Sequence, residues 1–134
     1  MNSLPKINVT AGILYSSGKV LLAQRPEPKY DGLWEFPGGK IEENESAEEC
    51  LIRELHEELG ILVKVKKLFC TTEWSRQDKV IILHTFEIDS FEGVPVPIVH
   101  SQLKWIDIKE LRKEELLPAD RPVVDKLKSS LGSS

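Results

Sequence analysis

The sequence predicts a mixed α/β (α+β) fold in which a sheet is sandwiched between helices. Three observations predict it. Runs rich in β-branched and apolar residues stand both before and after one central helix; that helix is marked at both of its ends; and a second stretch with helical spacing comes last. With 134 residues, against about 100–200 per domain, the chain is read as one domain spanning residues 1–134. Hydrophobic residues make up 40% and charged residues 30%, the balance of a folded globule rather than a disordered chain.

The elements follow in order. Residues 7–15 and 19–23 are apolar and β-branched, and Ser16-Ser17-Gly18 between them is turn chemistry, so the pair reads as a β-hairpin. Pro26, Pro28, Asp31 and Gly32 mark a loop. Residues 33–36 form a short extended piece, which Pro37-Gly38-Gly39 breaks. Ser46-Ala47-Glu48-Glu49 fits a capping box, and Gly60 is placed to end the helix in a left-handed conformation. Residues 62–72 and 79–88 read as two strands joined by Ser75-Arg76-Gln77-Asp78. Gly93, Pro95 and Pro97 make a loop, and residues 103–106 a short strand. Val123, Val124, Leu127 and Leu131 give residues 122–131 helical spacing, and residues 129–134 read as a fraying tail.

Charge and composition exclude several classes of function. Eighteen basic residues against 22 acidic ones leave a net charge of -4, the wrong sign for coating a nucleic-acid duplex. Cys50 and Cys70 are too few for a disulfide scaffold, which points to a reducing compartment. No apolar run approaches the roughly 20 residues of a membrane span. The opening Met1-Asn2-Ser3-Leu4-Pro5-Lys6 lacks the pattern of a signal peptide. The expectation is a cytoplasmic protein with no membrane or nucleic-acid polymer as partner.

The central helix carries the chemistry. At roughly 100° per residue, Leu51, Leu55, Leu59 and Ile52 fall roughly 60° to 160° from Glu54 and form a core stripe. Glu57, Glu54 and Glu58 fall at roughly 300°, 0° and 40° on the same wheel, so three carboxylates share the face beside that stripe. Glu54 and Glu58 repel at a spacing of four, and Glu57 and Glu58 sit in the last turn, where the helix dipole disfavours negative charge. A divalent cation reverses both penalties, and clustered carboxylate oxygens suit Mg²⁺ or Mn²⁺. A solvated acidic face is the alternative from the helix alone.

The preceding segment narrows the choice. Gly39, five residues, Glu45, seven residues, then Arg53-Glu54-Leu55-His56-Glu57-Glu58-Leu59-Gly60-Ile61 satisfies every position of the Nudix box. The chain therefore resembles the Nudix hydrolases. Residues 22–26 (LAQRP), 32–40 (GLWEFPGGK) and 117–122 (LPADRP) look most like its MutT-like branch, the branch of bacterial CTP pyrophosphohydrolases and 8-oxo-dGTP diphosphatases.

That resemblance implies a Nudix-type α/β/α sandwich with a central mixed sheet. It implies a Mg²⁺-dependent enzyme, with Mn²⁺ possible, that cleaves a nucleoside triphosphate to the monophosphate and pyrophosphate. Glu54, Glu57 and Glu58, with the Gly38 carbonyl, match the metal ligands. Glu54, Arg53 and Glu57 match the catalytic positions, Glu54 as proton acceptor and Arg53 orienting a box glutamate. Glu45 is a support or an extra ligand. Arg25, Glu35, Phe36, Pro37, Gly38, Lys40 and Asp120 match the nucleotide-binding positions. Asp120 either reads the base edge or caps the last helix, two compatible roles. An ionised aspartate only accepts hydrogen bonds, which favours a donor-rich edge such as that of cytosine. CTP, dCTP and modified cytosine nucleotides are the expected substrates, 8-oxo-dGTP the runner-up, and a catalytically weak nucleotide-binding module the rival. Monomer and homodimer both fit.

One position departs from the pattern. Relatives often carry a glutamate six residues before the tryptophan matching Trp105; here it is Val99, followed by His100. Glu54 and Glu58 suffice without it, or His100 takes its place, or activity is lower; the first is the expectation. Trp34, Trp105, Cys50 and His84 read as packing or satisfied structural residues, and His56 as solvated.

Overall fold

The computed structural model describes residues 4–26 and 32–132. Met1-Asn2-Ser3, the loop marks Pro28 and Asp31, and the tail residues Ser133 and Ser134 lie outside the described residues.

Burial decides where the first strand goes. The last four residues of β1 (Lys6–Ile13) are all buried, so both faces of the strand need cover. A central place in a sheet under helices provides it. β1 accordingly lies in a four-stranded sheet of order β5–β1–β7–β6, parallel to β7 (Val80–Glu92) and antiparallel to β5 (Gly38–Lys40). β6 (Leu62–Ser75) completes this sheet antiparallel to β7. The expected hairpin between residues 7–15 and 19–23 is thus corrected. Only β2 (Tyr15–Ser16) pairs with the start of β3 (Lys19–Gln24), through a turn with Ser17 at φ 52° and Gly18 at φ 79°. Two left-handed central residues make the tight turn that suits strand twist.

A second sheet is centred on β3. β8 (Gln102–Asp107) pairs along the whole of it, while β2 and β4 (Trp34–Glu35) share its other edge. The chain crosses between sheets at Phe36-Pro37. The break expected at Pro37-Gly38-Gly39 is real only at the proline, because Gly38–Lys40 is β5 and pairs with β1. β6 and β7 each run past the expected limits of 72 and 88, and β6 carries register shifts near Lys64 to Cys70.

α1 (Ala47–Leu59) has both predicted ends. Glu49 N–H donates to Ser46 Oγ at 3.1 Å, Ser46 N–H donates to Glu49 Oε1 at 2.9 Å, and Gly60 closes the helix at φ 71°. Ile52 corrects the predicted stripe: it is 40% exposed, and Cys50 is buried instead. The buried arc is rotated toward the carboxylate face, because β5 and β1 pack there. Cys50 Sγ donates to the Lys40 carbonyl at 3.3 Å. After β8, three short 3₁₀ turns lead to α2 (Arg121–Gly132).

Two cores result, one under each helix. Leu51, Leu55 and Leu59 of α1 pack with Leu14, Leu21, Ile61, Phe86 and Ile88. Val123, Val124 and Leu127 of α2 pack with Ala11, Ile13, Val20, Leu22, Phe36 and Leu83. Val20 and Leu22 face one core and Leu21 the other, the period of two expected of a strand covered on both faces. Trp105 stacks on Phe91 with ring centroids 6.1 Å apart, and Trp34 packs against the second core beneath Lys104. His84 is satisfied by Asn8 at 3.0 Å. Among the described residues no helix is long and apolar enough to cross a membrane.

Candidate active site

The site grows from the exposed edge of α1 inward. Arg53 is its hub. Its Nε and Nη2 donate to the two oxygens of Glu45 at 2.7 and 2.9 Å, a bidentate pair. Its Nη1 donates to Glu54 Oε1 at 2.7 Å and to Glu57 Oε2 at 3.2 Å, and Nη2 lies 3.2 Å from Glu42 Oε1. These partners, Glu45 foremost, raise the pKa of the guanidinium further. In return Arg53, helped by the Glu42 backbone N–H, holds the Glu45 carboxyl down to about 2.

Glu54 and Glu58 stand one helical turn apart on the side of α1 that meets β5. Burial above all, and then the hydrogen bond and charge of Glu54, push the Glu58 carboxyl up to about 8. The backbone of β5 lies tightly over this pair. A Cβ on Gly39 would overlap the Glu54 carboxyl, and a Cβ on Gly38 would overlap the Thr10 carbonyl. Both glycines are therefore required by close approach, not by turn geometry.

The pair opens into a cleft of about 540 Å³. Arg25, Glu35, Phe36, Gly38, Lys40 and Asp120, all predicted site residues, line it together with Glu54 and Glu58. Pro37 does not line it; its carbonyl accepts from Gly12 N–H at 2.8 Å as the chain crosses between sheets. Glu57 does not line it either, being 57% exposed and turned to Arg53. Glu45 is likewise held outside by Arg53.

Asp120 is buried at the end of the 3₁₀ turn Pro118–Asp120, and its Oδ1 has no hydrogen-bond partner among the described residues. Burial first, and then the charge of Glu35, raise its pKa well above the ordinary aspartate value, although the Phe36 backbone amide and Arg25 oppose the shift. That amide belongs to the strand crossing, so Asp120 faces the cleft and not only the helix it precedes. Glu35 Oε2 lies 3.0 Å from Arg25 Nε and 2.9 Å from His100 Nε2. Arg76, Lys79 and Val99 also line the cleft, and Arg76 rests on the Trp74 ring at 5.2 Å. Sequence reasoning missed Arg76 and Lys79, since two cations beside a strand connection carry no spacing signal. The His100–Glu35 contact spans 65 positions and was equally invisible.

The donor set fits a hard divalent cation. Burial and the neighbouring Glu54 carboxyl, one turn away, favour a proton on Glu58, and a cation can take that proton's place. The donors of the α1 pair are carboxylate oxygens, which suit a hard ion. Among the described residues no three acidic or histidine side chains converge as a ready-made cage. The preformed element is thus the Glu54–Glu58 pair, with Glu57 one Arg53 contact away.

Comparison with known proteins agrees with this geometry. The chain matches the NUDIX domain family over residues 5–127. It is 39% identical over 120 residues to the CTP pyrophosphohydrolase of Escherichia coli K12, covering 89% of each chain. It is 31% identical to the 8-oxo-dGTP diphosphatase of the same organism, covering 93% of this chain and 98% of that one. Among solved structures, the solution structure of the E. coli ORF135 protein superposes with a TM-score of 0.87 at 35% identity, covering 97% and 94% of the two chains. The MutT Nudix hydrolase of Burkholderia pseudomallei superposes at 0.82 with 25% identity, covering 90% and 97%. Since the matched stretch runs from before β1 into α2 and takes in the whole cleft, the chain belongs to the Nudix family, as a hydrolase of the MutT-like branch.

Proposed function

We propose that this Nudix hydrolase is a Mg²⁺-dependent nucleoside triphosphate pyrophosphohydrolase, with Mn²⁺ able to substitute. Its substrates are CTP, dCTP or modified cytosine nucleotides, and its products a nucleoside monophosphate and pyrophosphate. One observation carries the reading: the cleft takes acids from both helical layers. Glu54 and Glu58 come from α1, and Asp120, buried with an unpartnered oxygen, comes from the turn into α2. A polyphosphate requires the first pair with its cation; a base edge satisfies the second.

A divalent cation would be held by Glu54, Glu58 and the Gly38 carbonyl, with Glu57 recruited from Arg53, and would supply charge neutralisation of the polyphosphate and a lower pKa for the attacking water. Glu54 accepts the proton of that water as its oxygen bonds to phosphorus and the bridging P–O bond to the monophosphate breaks. Arg53 holds Glu54 through Oε1 and so fixes the orientation of its carboxyl. Arg25 and Lys40 offset phosphate charge, and Phe36 forms an apolar wall for the base.

Burial and the Glu35 charge favour the neutral form of Asp120, and a neutral carboxyl presents a donor and an acceptor side by side. Cytosine matches this with its amine and ring N3. An oxidised guanine matches it too, with ring N–H and O6, and this favours 8-oxo-dGTP as the second reading, in line with the 31% identical diphosphatase. The experiment is pyrophosphate release with Mg²⁺ from CTP, dCTP, 5-methyl-dCTP, dGTP and 8-oxo-dGTP. Preference for a cytosine nucleotide supports the first reading, preference for 8-oxo-dGTP the second. Binding without turnover overturns both in favour of a nucleotide-binding module.

A further inference from the structure

His100 is only 7% exposed, yet it lines the nucleotide cleft. Its backbone is fixed on both sides. Ile98 N–H donates to the Glu58 carbonyl at 3.2 Å, and Ser101 N–H donates to the Gln24 carbonyl at 3.1 Å. The segment therefore ties the C-terminal end of α1 to the end of β3, and His100 sits between the two anchors. Among the described residues the ring bonds through Nε2 to Glu35 Oε2 at 2.9 Å, while Nδ1 is buried without a hydrogen-bond partner. Burying an imidazole with one nitrogen unpaired costs free energy, a cost that a use for its bond to Glu35 would explain.

The use lies in what Glu35 holds. Arg25 and His100 both reach the same oxygen, Oε2. The Arg25 side chain is 37% exposed, so its ion pair with Glu35 is partly screened by solvent. A contact from a buried ring whose backbone is anchored on both sides restrains the carboxylate at the oxygen that Arg25 meets. We infer that His100 is a positioning residue of the nucleotide site. By donating from Nε2 to Glu35 Oε2, it fixes the Glu35 carboxylate, and through it Arg25, in the arrangement that receives the nucleotide. The inference rests on the nucleotide-hydrolase reading above, and it gives His100 a role distinct from replacing the glutamate absent at Val99.

The test is steady-state kinetics on whichever nucleotide of the panel the wild-type protein turns over best. A panel on which the wild type is silent brings down the underlying reading. His100→Ala is expected to raise KM about tenfold or more and to change kcat by less than about threefold, the pattern of lost binding and not lost chemistry. His100→Gln, whose amide N–H can still reach Glu35, is expected to recover part of the loss. In a Glu35→Gln background, His100→Ala is expected to add less than about twofold, because the two residues act as one unit. An unchanged KM in His100→Ala, a fall in kcat alone, or an undiminished effect in the Glu35→Gln background overturns the inference. If His100→Ala does not fold, His100→Leu, which fills the space without a donor, and its double variant with Glu35→Gln are held to the same criteria.

Discussion

Arg53 organises more charge than any other side chain at the site, bridging Glu45, Glu54 and Glu57 with one planar fork. Its removal frees Glu54 to rotate. Arg53→Ala is expected to lower kcat by about 100-fold or more, the cost of roughly an ångström's misplacement of a catalytic group, with an unchanged far-UV spectrum. Pyrophosphate release and circular dichroism check it together. Glu58 makes a second prediction. Its carboxyl rises from the ordinary 4.5 to about 8 in the fold, so between those values the folded chain keeps a proton that the unfolded chain has lost. Stability without metal therefore falls as pH rises through that window. A cation that takes the proton's place removes the penalty. The gain in melting temperature on adding Mg²⁺ is expected to be larger near about pH 8 than near about pH 5, and Glu58→Gln is expected to abolish the difference. Equal gains at both pH values would remove Glu58 from the cation site.

Among the elements, β5 and α1 work as a pair. Gly38 is closed in by the backbone of β1, and Gly39 by the side chain of Glu54. Gly38→Ala must move backbone and is expected to destabilise the fold by about 1–3 kcal/mol, read as a shift in the denaturation midpoint. Gly39→Ala meets a movable side chain, so it is expected to cost less stability but to displace Glu54 and lower turnover. Midpoint and kcat measured on both variants separate the two effects. These glycines also show what the sequence makes legible. The box string, the capping box of Ser46 and Glu49 and the closure at Gly60 are local patterns, and each was readable. That Gly38–Lys40 is a strand was not, because its reason is the backbone of Thr10, distant in sequence. The same holds for β1, which turn chemistry at Ser17-Gly18 assigns to a hairpin but whose fully buried end requires the middle of a sheet. Ile52 failed because a wheel gives the width of an apolar arc, whereas only packing against β5 sets its centre. In the cleft, the α1 acids and Asp120 were legible through their motifs; the Glu35–His100 contact depends on tertiary closure alone.

On the scale of the whole molecule, the two cores serve different parts of the cleft. Leu51, Leu55 and Leu59 seat the helix that carries Glu54 and Glu58; Val123, Val124 and Leu127 seat the helix that follows Asp120, in the same core as Phe36. Leu51→Ala and Leu127→Ala are each expected to cost about 2–5 kcal/mol in stability. Their effects on function should diverge. Loosening α1 is expected to lower kcat and weaken the response to Mg²⁺, and loosening α2 to raise KM and blur the choice between bases. Titrating Mg²⁺ and comparing two nucleotides on both variants checks it; identical profiles would mean that the cores act as one.

The separation of the acids between two layers has a consequence for descent. If Asp120 and Phe36 read the base and α1 holds the hydrolytic acids, as proposed, a lineage can alter Asp120, Phe36 or the turn before α2, and so try a new base, while α1 and the glycines beside it stay untouched. Selection for a different nucleotide then acts on one layer of the sandwich, and the inherited means of cleaving the anhydride persists in the other.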